Sequence, residues 1–239
     1  MKQKAYPTME AAVADIPDGA VIMFSGFAGP GTPRNLIAAL LRQGATGLTV
    51  IANTPGRWND PALDVGALIA AGQVRKAIAS FTASPHPSAR TAFSELYETG
   101  RIEAELVPQG TLAERIRAAG SGIPAFYTPT GVATEIAEGK EVRRFQGRDH
   151  VLETALPADY AFIRAWRADA LGNLQYRYTQ RNYGPIMARA ARVTIVEVDE
   201  AILEPGAIGP EFVHTPGIFV DRMVQVPADG IWDRPVAHE

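Results

Sequence analysis

The stretch Asp18–Pro33, DGAVIMFSGFAGPGTP, decides how this chain is read. An apolar run, AVIMF, leads directly into Gly26, Gly29 and Gly31, and a helical pattern, PRNLIAALLR, follows. Glycine permits backbone angles and close approaches that a side chain forbids. Thr32 is placed to cap that helix and Pro33 to open its first turn, so a helix over 34–42 is expected, with its first N–H groups facing whatever the loop approaches. Such a junction attracts anions.

The familiar nucleotide loops fail on spacing. A dinucleotide fingerprint runs Gly-x-Gly-x-x-Gly and ends its second strand on an acidic residue, whereas this loop runs Gly26-x-x-Gly29-x-Gly31 and the second strand, LTVIAN, ends at Asn53. A P-loop requires Gly-Lys-Ser/Thr, which does not occur here. The glycines alone do not separate a binding loop from a tight strand-to-helix turn.

Up to Gly122 the chain alternates short branched apolar runs with helical patterns: AVIMF with PRNLIAALLRQG, LTVIAN with ALDVGALIAAGQ, VRKAIASF with SARTAFSELYETG, and IEAELVP with TLAERIRAAGSG. Repeated units of this kind predict an α/β fold, an open, mainly parallel sheet with helices on both faces. Gly44, Gly72, Gly100 and Gly120 stand where helix C-caps belong. Thr111 and Glu114 have the spacing of a capping box at the start of the fourth helix. Beyond Gly122, GIPAFYTPTG reads as a loop and GKEVRRFQGRDHVLETALPAD as short strands or a β-rich flap. YAFIRAW and NLQYRYT read as strands joined by a turn over 169–173, PIMARAA as a short helix and RVTIVEV as a buried strand. No linker or repeat divides the chain, so residues 1–239 are expected to form one domain.

With 46% hydrophobic and 21% charged residues, 239 residues suffice for a substantial core. A net charge of −3 supplies no broad basic surface, which argues against nucleic acid as a partner. The local cluster Lys140, Arg143, Arg144 and Arg148 reads first as a solvated loop face, with the phosphates of a bound ligand as the alternative contact. There is no cysteine, so thiolate chemistry and disulfides are unavailable, and His86, His150, His214 and His238 have no metal-ligand spacing. No metal is expected. The N-terminus lacks an apolar signal core and no run is long enough to span a bilayer; a cytoplasmic protein with no membrane association is the expectation.

In an open parallel sheet, ligands bind beyond the carboxyl ends of the strands. The 26–32 loop, Asn53 with Thr54, the 82–86 loop, and Gln109 with Gly110 all fall at such ends. Asn53 also reads as a turn amide, and Gln109 as the residue leading into the Thr111 cap.

An ordered set of segments resembles the A (alpha) subunit of the family I CoA-transferases of 3-oxoacid type. The family signature, Asp-Gly, apolar residues, then Gly-Gly-Phe-x-x-x-Gly-x-Pro, is met by Asp18, Gly19, Gly26, Phe27, Gly31 and Pro33, with Ser25 at the first glycine. LTVIAN, LVPQGTLAERIRAAGSGIPAFYTPTG, GKEVRRFQGRDHVLE, ADYAFIRAWRADALGNLQYR, RNYGP and VHTPGIFVDR follow in family order. The resemblance implies exchange of CoA between carboxylic acids through a glutamyl-CoA intermediate, with the nucleophilic glutamate on a separately encoded B subunit in a Ser-Glu-Asn-Gly-like segment. Ser94-Glu95 is a superficial echo of that segment within an amphipathic helix. The resemblance further implies an active-site loop of Gly26, Phe27, Gly29, Gly31 and Thr32. It makes Asn53 and Gln109 supporting donors, and Thr54, Gly110 and Thr130 candidate substrate contacts. The CoA thioester is then a substrate, no cofactor is permanently bound, and an A2B2 or larger hetero-oligomer is expected. Arg57 and Trp58 read either as part of an acid pocket or as an exposed loop pair.

Two other readings remain open. On the same fold, a hydrolase or ring-opening relative would use a glutamate of this chain to promote attack by water, with Glu98, Glu103 and Glu105 as candidates. A non-enzymatic acyl-CoA or nucleotide binding module would bind its ligand as a self-sufficient monomer.

Overall fold

The computed structural model describes residues 3–56, 63–83 and 89–231. Its main sheet is built from β1 (Val21–Phe24), β2 (Leu48–Ala52), β3 (Val74–Ala79) and β4 (Glu103–Leu106) in the first half, then β8 (Ala158–Ala165), β11 (Ala191–Val198) and β12 (Arg222–Gln225) in the second. The order is β12-β11-β8-β1-β2-β3-β4, and every pairing is parallel. Successive strands step one way from β1 to β4 and the other way from β8 to β12. The junction of β1 with β8 is therefore the point where strand order reverses, and that is where open α/β sheets bind ligands.

Side chains alternate across the strands, and the two faces carry separate cores. Ile22 and Phe24 of β1 pack with α1 (Met9–Val13), α2 (Arg34–Gln43), α3 (Val65–Ala70) and α4 (Ala92–Glu98). Met23, between them, faces the opposite core with Leu112 and Ile116 of α5 (Gln109–Gly120) and Met187 and Ala188 of α6 (Gly184–Ala190). Period-two alternation on strands that are covered on both faces is what distributes helices to each side. Phe24 and Phe162 are register partners on β1 and β8 and meet edge to face with centroids 5.3 Å apart, within the core on the α1–α4 face.

The expected flap is present as a three-stranded antiparallel sheet, β5 (Ala125–Thr128), β7 (Arg148–Thr154) and β6 (Val142–Phe145) in that order. GIPAFYTPTG, read as a loop, supplies β5: its alternating AFYT pairs with Val151–Thr154 of β7. A second small ribbon, β9 (Arg167–Ala168) with β10 (Leu174–Gln175), closes over the 169–173 turn, where Asp169 Oδ1 accepts the N–H groups of Leu171 and Asn173.

Two terminal signals are placed differently from the expectation. α5 starts at Gln109 behind Pro108, so Thr111 is inside the first turn; its hydroxyl is buried without a partner among the described residues, and Glu114 pairs with Arg117 instead. The side-chain capping box lies on α4, between Thr91 and Ser94. Gly44 caps α2 in the left-handed region as expected. Gly120, however, is the last residue of α5, and a Cβ there would stand 2.7 Å from Arg189 Cβ, so its role is to let α5 and α6 approach.

Candidate active site

The glycine loop folds on itself at the end of β1. Gly26, Ala28, Gly29 and Gly31 all take positive φ, at 120°, 52°, 111° and 78°. The Phe27 N–H donates to Pro30 O and the Thr32 N–H to Gly29 O, while the buried Ser25 hydroxyl donates to Gly31 O at 2.7 Å. Two contacts make glycine obligatory. A Cβ on Gly26 would lie 2.5 Å from Thr32 Oγ1, and one on Gly31 would lie 2.6 Å from Gln180 O. Thr32 is thus packed beneath the loop rather than capping α2, whose N-cap is Pro33 with no side-chain bond. Phe27 is exposed beside it.

The segment 178–183 clasps this loop from the second half of the chain. Asn182 Oδ1 accepts the N–H groups of Gly26 (3.1 Å) and Tyr183 (2.7 Å), and its Nδ2 donates to Pro30 O and Thr179 O, both at 2.9 Å. The Asn182 carboxamide thus uses one bond of each end on the loop, at Gly26 and Pro30, and one on its own segment, at Tyr183 and Thr179. The N–H groups of Ala28 and Gly29 have no partner among the described residues.

Asn53 is buried at the end of β2, and its Oδ1 accepts from Gln109 Nε2 at 2.7 Å and from the Tyr183 hydroxyl at 3.3 Å. With the oxygen held twice, the Asn53 Nδ2 is oriented away from both and donates to no group among the described residues. Burial raises the Tyr183 phenol above its ordinary pKa, so it remains a neutral donor. A carboxamide donor and two backbone donors thus belong to one connected unit: Gln109, Asn53, Tyr183, Asn182 and the loop.

The first turn of α2 is closed from inside. Glu197 Oε2 accepts the N–H groups of Asn35 (2.8 Å) and Leu36 (3.1 Å), and Glu197 is fully buried. The Arg34 and Ile37 N–H groups donate to Thr32 O and Pro33 O. The expectation that this helix start faces an external anion is therefore corrected: the chain supplies its own. Burial pushes the Glu197 carboxyl up to about 7, against the pull of Arg164.

The remaining candidates separate clearly. Thr54 and Gly110 flank Asn53 and Gln109, and a Cβ on Gly110 would meet nothing within 4 Å. Thr130 is exposed on the turn after β5, where its N–H bonds Thr128 Oγ1, and no described hydrogen bond ties it to the loop or to Asn53. Arg57, Trp58 and His86 lie outside the described residues. In the basic cluster, Lys140 pairs with Glu153 and Arg143 with Glu141, each at 2.7 Å, and Arg144 Nε lies 3.9 Å from Asp149. These cations belong to the flap and are balanced by its own carboxylates.

Residues 6–226 match the family described as coenzyme A transferase. The chain belongs to that family. The A subunit of a 3-oxoadipate CoA-transferase from Pseudomonas putida is 50% identical over 226 residues, covering 95% of this chain and 95% of the relative. The A subunit of a succinyl-CoA:3-ketoacid coenzyme A transferase from Xanthomonas campestris pv. campestris (strain B100) is 49% identical over 222 residues, covering 92% and 88%. The solved glutaconate coenzyme A-transferase from Acidaminococcus fermentans matches with a TM-score of 0.80 at 23% identity, over 94% of this chain and 76% of that one. At that identity the likeness is one of fold. The sequence reading missed the individual roles of Asn182, Tyr183 and Glu197. RNYGP was legible as a motif, and Glu197 as a carboxylate inside an otherwise apolar strand.

Proposed function

We propose that this coenzyme A transferase chain is the A subunit of a heteromeric 3-oxoacid CoA-transferase, acting with a B subunit that supplies the nucleophilic glutamate. The names of the relatives support a 3-oxoacid as acceptor and succinyl-CoA as donor. One observation carries the reading: Asn53 Oδ1 is held by Gln109 and Tyr183, leaving Nδ2 as a fixed donor in the same unit as the glycine loop.

In the proposed reaction the partner's carboxylate attacks the thioester carbonyl, and CoA leaves as a thiolate to give an acyl-glutamyl anhydride. The thiolate then attacks the glutamyl carbonyl, releasing the first acid and leaving a glutamyl-CoA thioester. The incoming acid repeats these steps in reverse. Negative charge develops on a carbonyl oxygen at each attack, and fixed donors stabilise it without reorganising. Asn53 Nδ2 and the N–H groups of Ala28 and Gly29 fill that role; Gln109 and Tyr183 orient Asn53. Gly26, Phe27, Gly31 and Thr32 shape the loop. No permanently bound cofactor enters the scheme. The chain works as one domain, in the cytoplasm, within an A2B2 or larger assembly.

The hydrolase alternative loses its ground in the ion pairs. Glu98 pairs with Arg90, Glu103 with Arg75 at 2.9 Å, and Glu105 with Lys76 and Arg115 at 2.7 and 2.8 Å. Burial pushes the Glu105 carboxyl up, yet Arg115 and Lys76 outweigh it and hold it below its ordinary value, the opposite of what a water-activating base requires. The deciding experiment assays CoA exchange between succinyl-CoA and a 3-oxoacid with the purified chain, with the B subunit alone, and with both. Exchange with ping-pong kinetics is expected only from the mixture. Robust transfer by this chain alone, or thioester hydrolysis without acceptor acid as the main reaction, would overturn the proposal.

A further inference from the structure

A group of charged side chains lies beneath the glycine loop without belonging to the donor set. Arg164 and Glu197 are register partners on β8 and β11, near the carboxyl ends of both strands, and are 1% and 0% exposed. Arg164 Nη1 stands 3.3 Å from Glu197 Oε1, and Arg164 Nε donates to Asp199 Oδ1 at 2.7 Å. Buried ion pairs of this kind are seldom more stabilising than apolar residues of equal volume. Their placement asks for another explanation.

Each carboxylate is tied to one end of the loop. Glu197 holds the N–H groups of Asn35 and Leu36, where the loop passes into α2. Asp199 Oδ2 accepts from Gln180 Nε2 at 2.9 Å. The backbone carbonyl of Gln180 is the atom against which Gly31 rests, and two residues further Asn182 grips Gly26 and Pro30. Gln180 Oε1 also accepts the Arg177 N–H, which turns the 178–183 segment back toward the loop.

We propose that Arg164, Glu197 and Asp199 form a positioning unit for CoA transfer, which sets the spacing between the first turn of α2 and the 178–183 clasp. The spacing fixes where the Ala28 and Gly29 donors stand and, through Tyr183, how Asn53 is aimed. This rests on the functional reading given above. Arg164 is the hub: it links two carboxylates that would otherwise repel, and each of them anchors a different backbone segment.

The test exchanges donor and acceptor at the exposed end of the unit. Asp199 Oδ1 accepts from Arg164 Nε and its Oδ2 from Gln180 Nε2. Asp199→Asn leaves one acceptor oxygen for both, so one bond is lost. Adding Gln180→Glu restores it with reversed polarity, because the new carboxylate accepts from the asparagine N–H and from the Arg177 N–H alike. Both variants, and Gly31→Val, are assayed in the assembled enzyme with succinyl-CoA and a 3-oxoacid, alongside thermal unfolding.

Asp199→Asn should lower kcat by roughly tenfold to a hundredfold with little change in KM, since displaced donors weaken the transition state more than binding. The double variant should recover most of that loss. A wild-type kcat in Asp199→Asn, or a loss of activity or folding that the double variant does not repair, overturns the positioning unit. The wild-type assembly and Gly31→Val separate the two levels. If the wild-type assembly exchanges no CoA, the functional reading itself fails; if it does, and Gly31→Val is inactive while Asp199→Asn is normal, the positioning unit alone fails.

Discussion

Gln109 Nε2 donates to Asn53 Oδ1 at 2.7 Å, joining the start of α5 to the end of β2 across the width of β3. The bond fixes which end of the Asn53 carboxamide is free. Gln109→Ala should lower turnover of the assembled enzyme by roughly a hundredfold, about 2.7 kcal/mol, the scale for loss of one oxyanion donor. Gln109→Glu should be at least as damaging, because a carboxylate facing Asn53 attracts its Nδ2 and turns the amide round. Stability should be nearly unchanged in Gln109→Ala, since α5 uses no side-chain cap. Kinetics and thermal unfolding measured together decide this; wild-type turnover in both variants assigns Gln109 to structure.

Ser25 stands where the family signature has glycine, and restoring the glycine looks harmless from sequence alone. The structure predicts otherwise for stability. Ser25→Gly removes the buried bond from its hydroxyl to Gly31 O and loosens the backbone, a loss of about 1–2 kcal/mol. Turnover should survive, because Asn182 still holds both ends of the loop. A melting temperature equal to wild type would show that the serine bond contributes nothing.

A pH effect is expected at His214. The Tyr176 N–H donates to its Nδ1 at 3.0 Å, and the two rings lie parallel with centroids 6.1 Å apart. Burial, with Arg181 nearby, holds its pKa below the ordinary 6.5. The neutral ring is therefore favoured by folding: its contribution is complete above the ordinary value and is lost as pH falls through the lowered one. Thermal unfolding from about pH 7.5 to about pH 5 should show a steeper decline for wild type than for His214→Gln. Parallel profiles would remove His214 as the cause.

Gly120→Ala tests the approach of α5 to α6. Its new methyl group would stand 2.7 Å from Arg189 Cβ and 3.0 Å from Arg189 C, so the helices must separate, at a cost of about 1–3 kcal/mol. Denaturant unfolding should show the shift. A neutral result would mean that the helix pair has slack.

Much of this was legible because it is periodic. β1 alternates Ile22, Met23 and Phe24 between two cores, and the strand-helix rhythm up to Gly122 follows from such patterns. Position at strand ends brought Asn53 and Gln109 forward as a pair, and the structure joins them. Local capping rules did less well. Thr-x-x-Glu at Thr111 has the right spacing, but Pro108 starts the helix earlier and turns Thr111 inward. What could not be read was contact between distant segments. Glu197 reaches Asn35 across 162 residues and Asn182 reaches Gly26 across 156, and no local rule predicts either pairing.

The internal carboxylate at α2 has a consequence for how substrate arrives. With Glu197 seated on the amides of Asn35 and Leu36, those first-turn donors are already occupied before any ligand approaches. The start of α2 then offers an incoming polyanionic thioester few free amides, and selectivity rests on the loop donors at hydrogen-bond distance. Ionic strength should alter the rate of encounter through other surface charges. The chemical step, once the thioester is seated, should be nearly indifferent to salt.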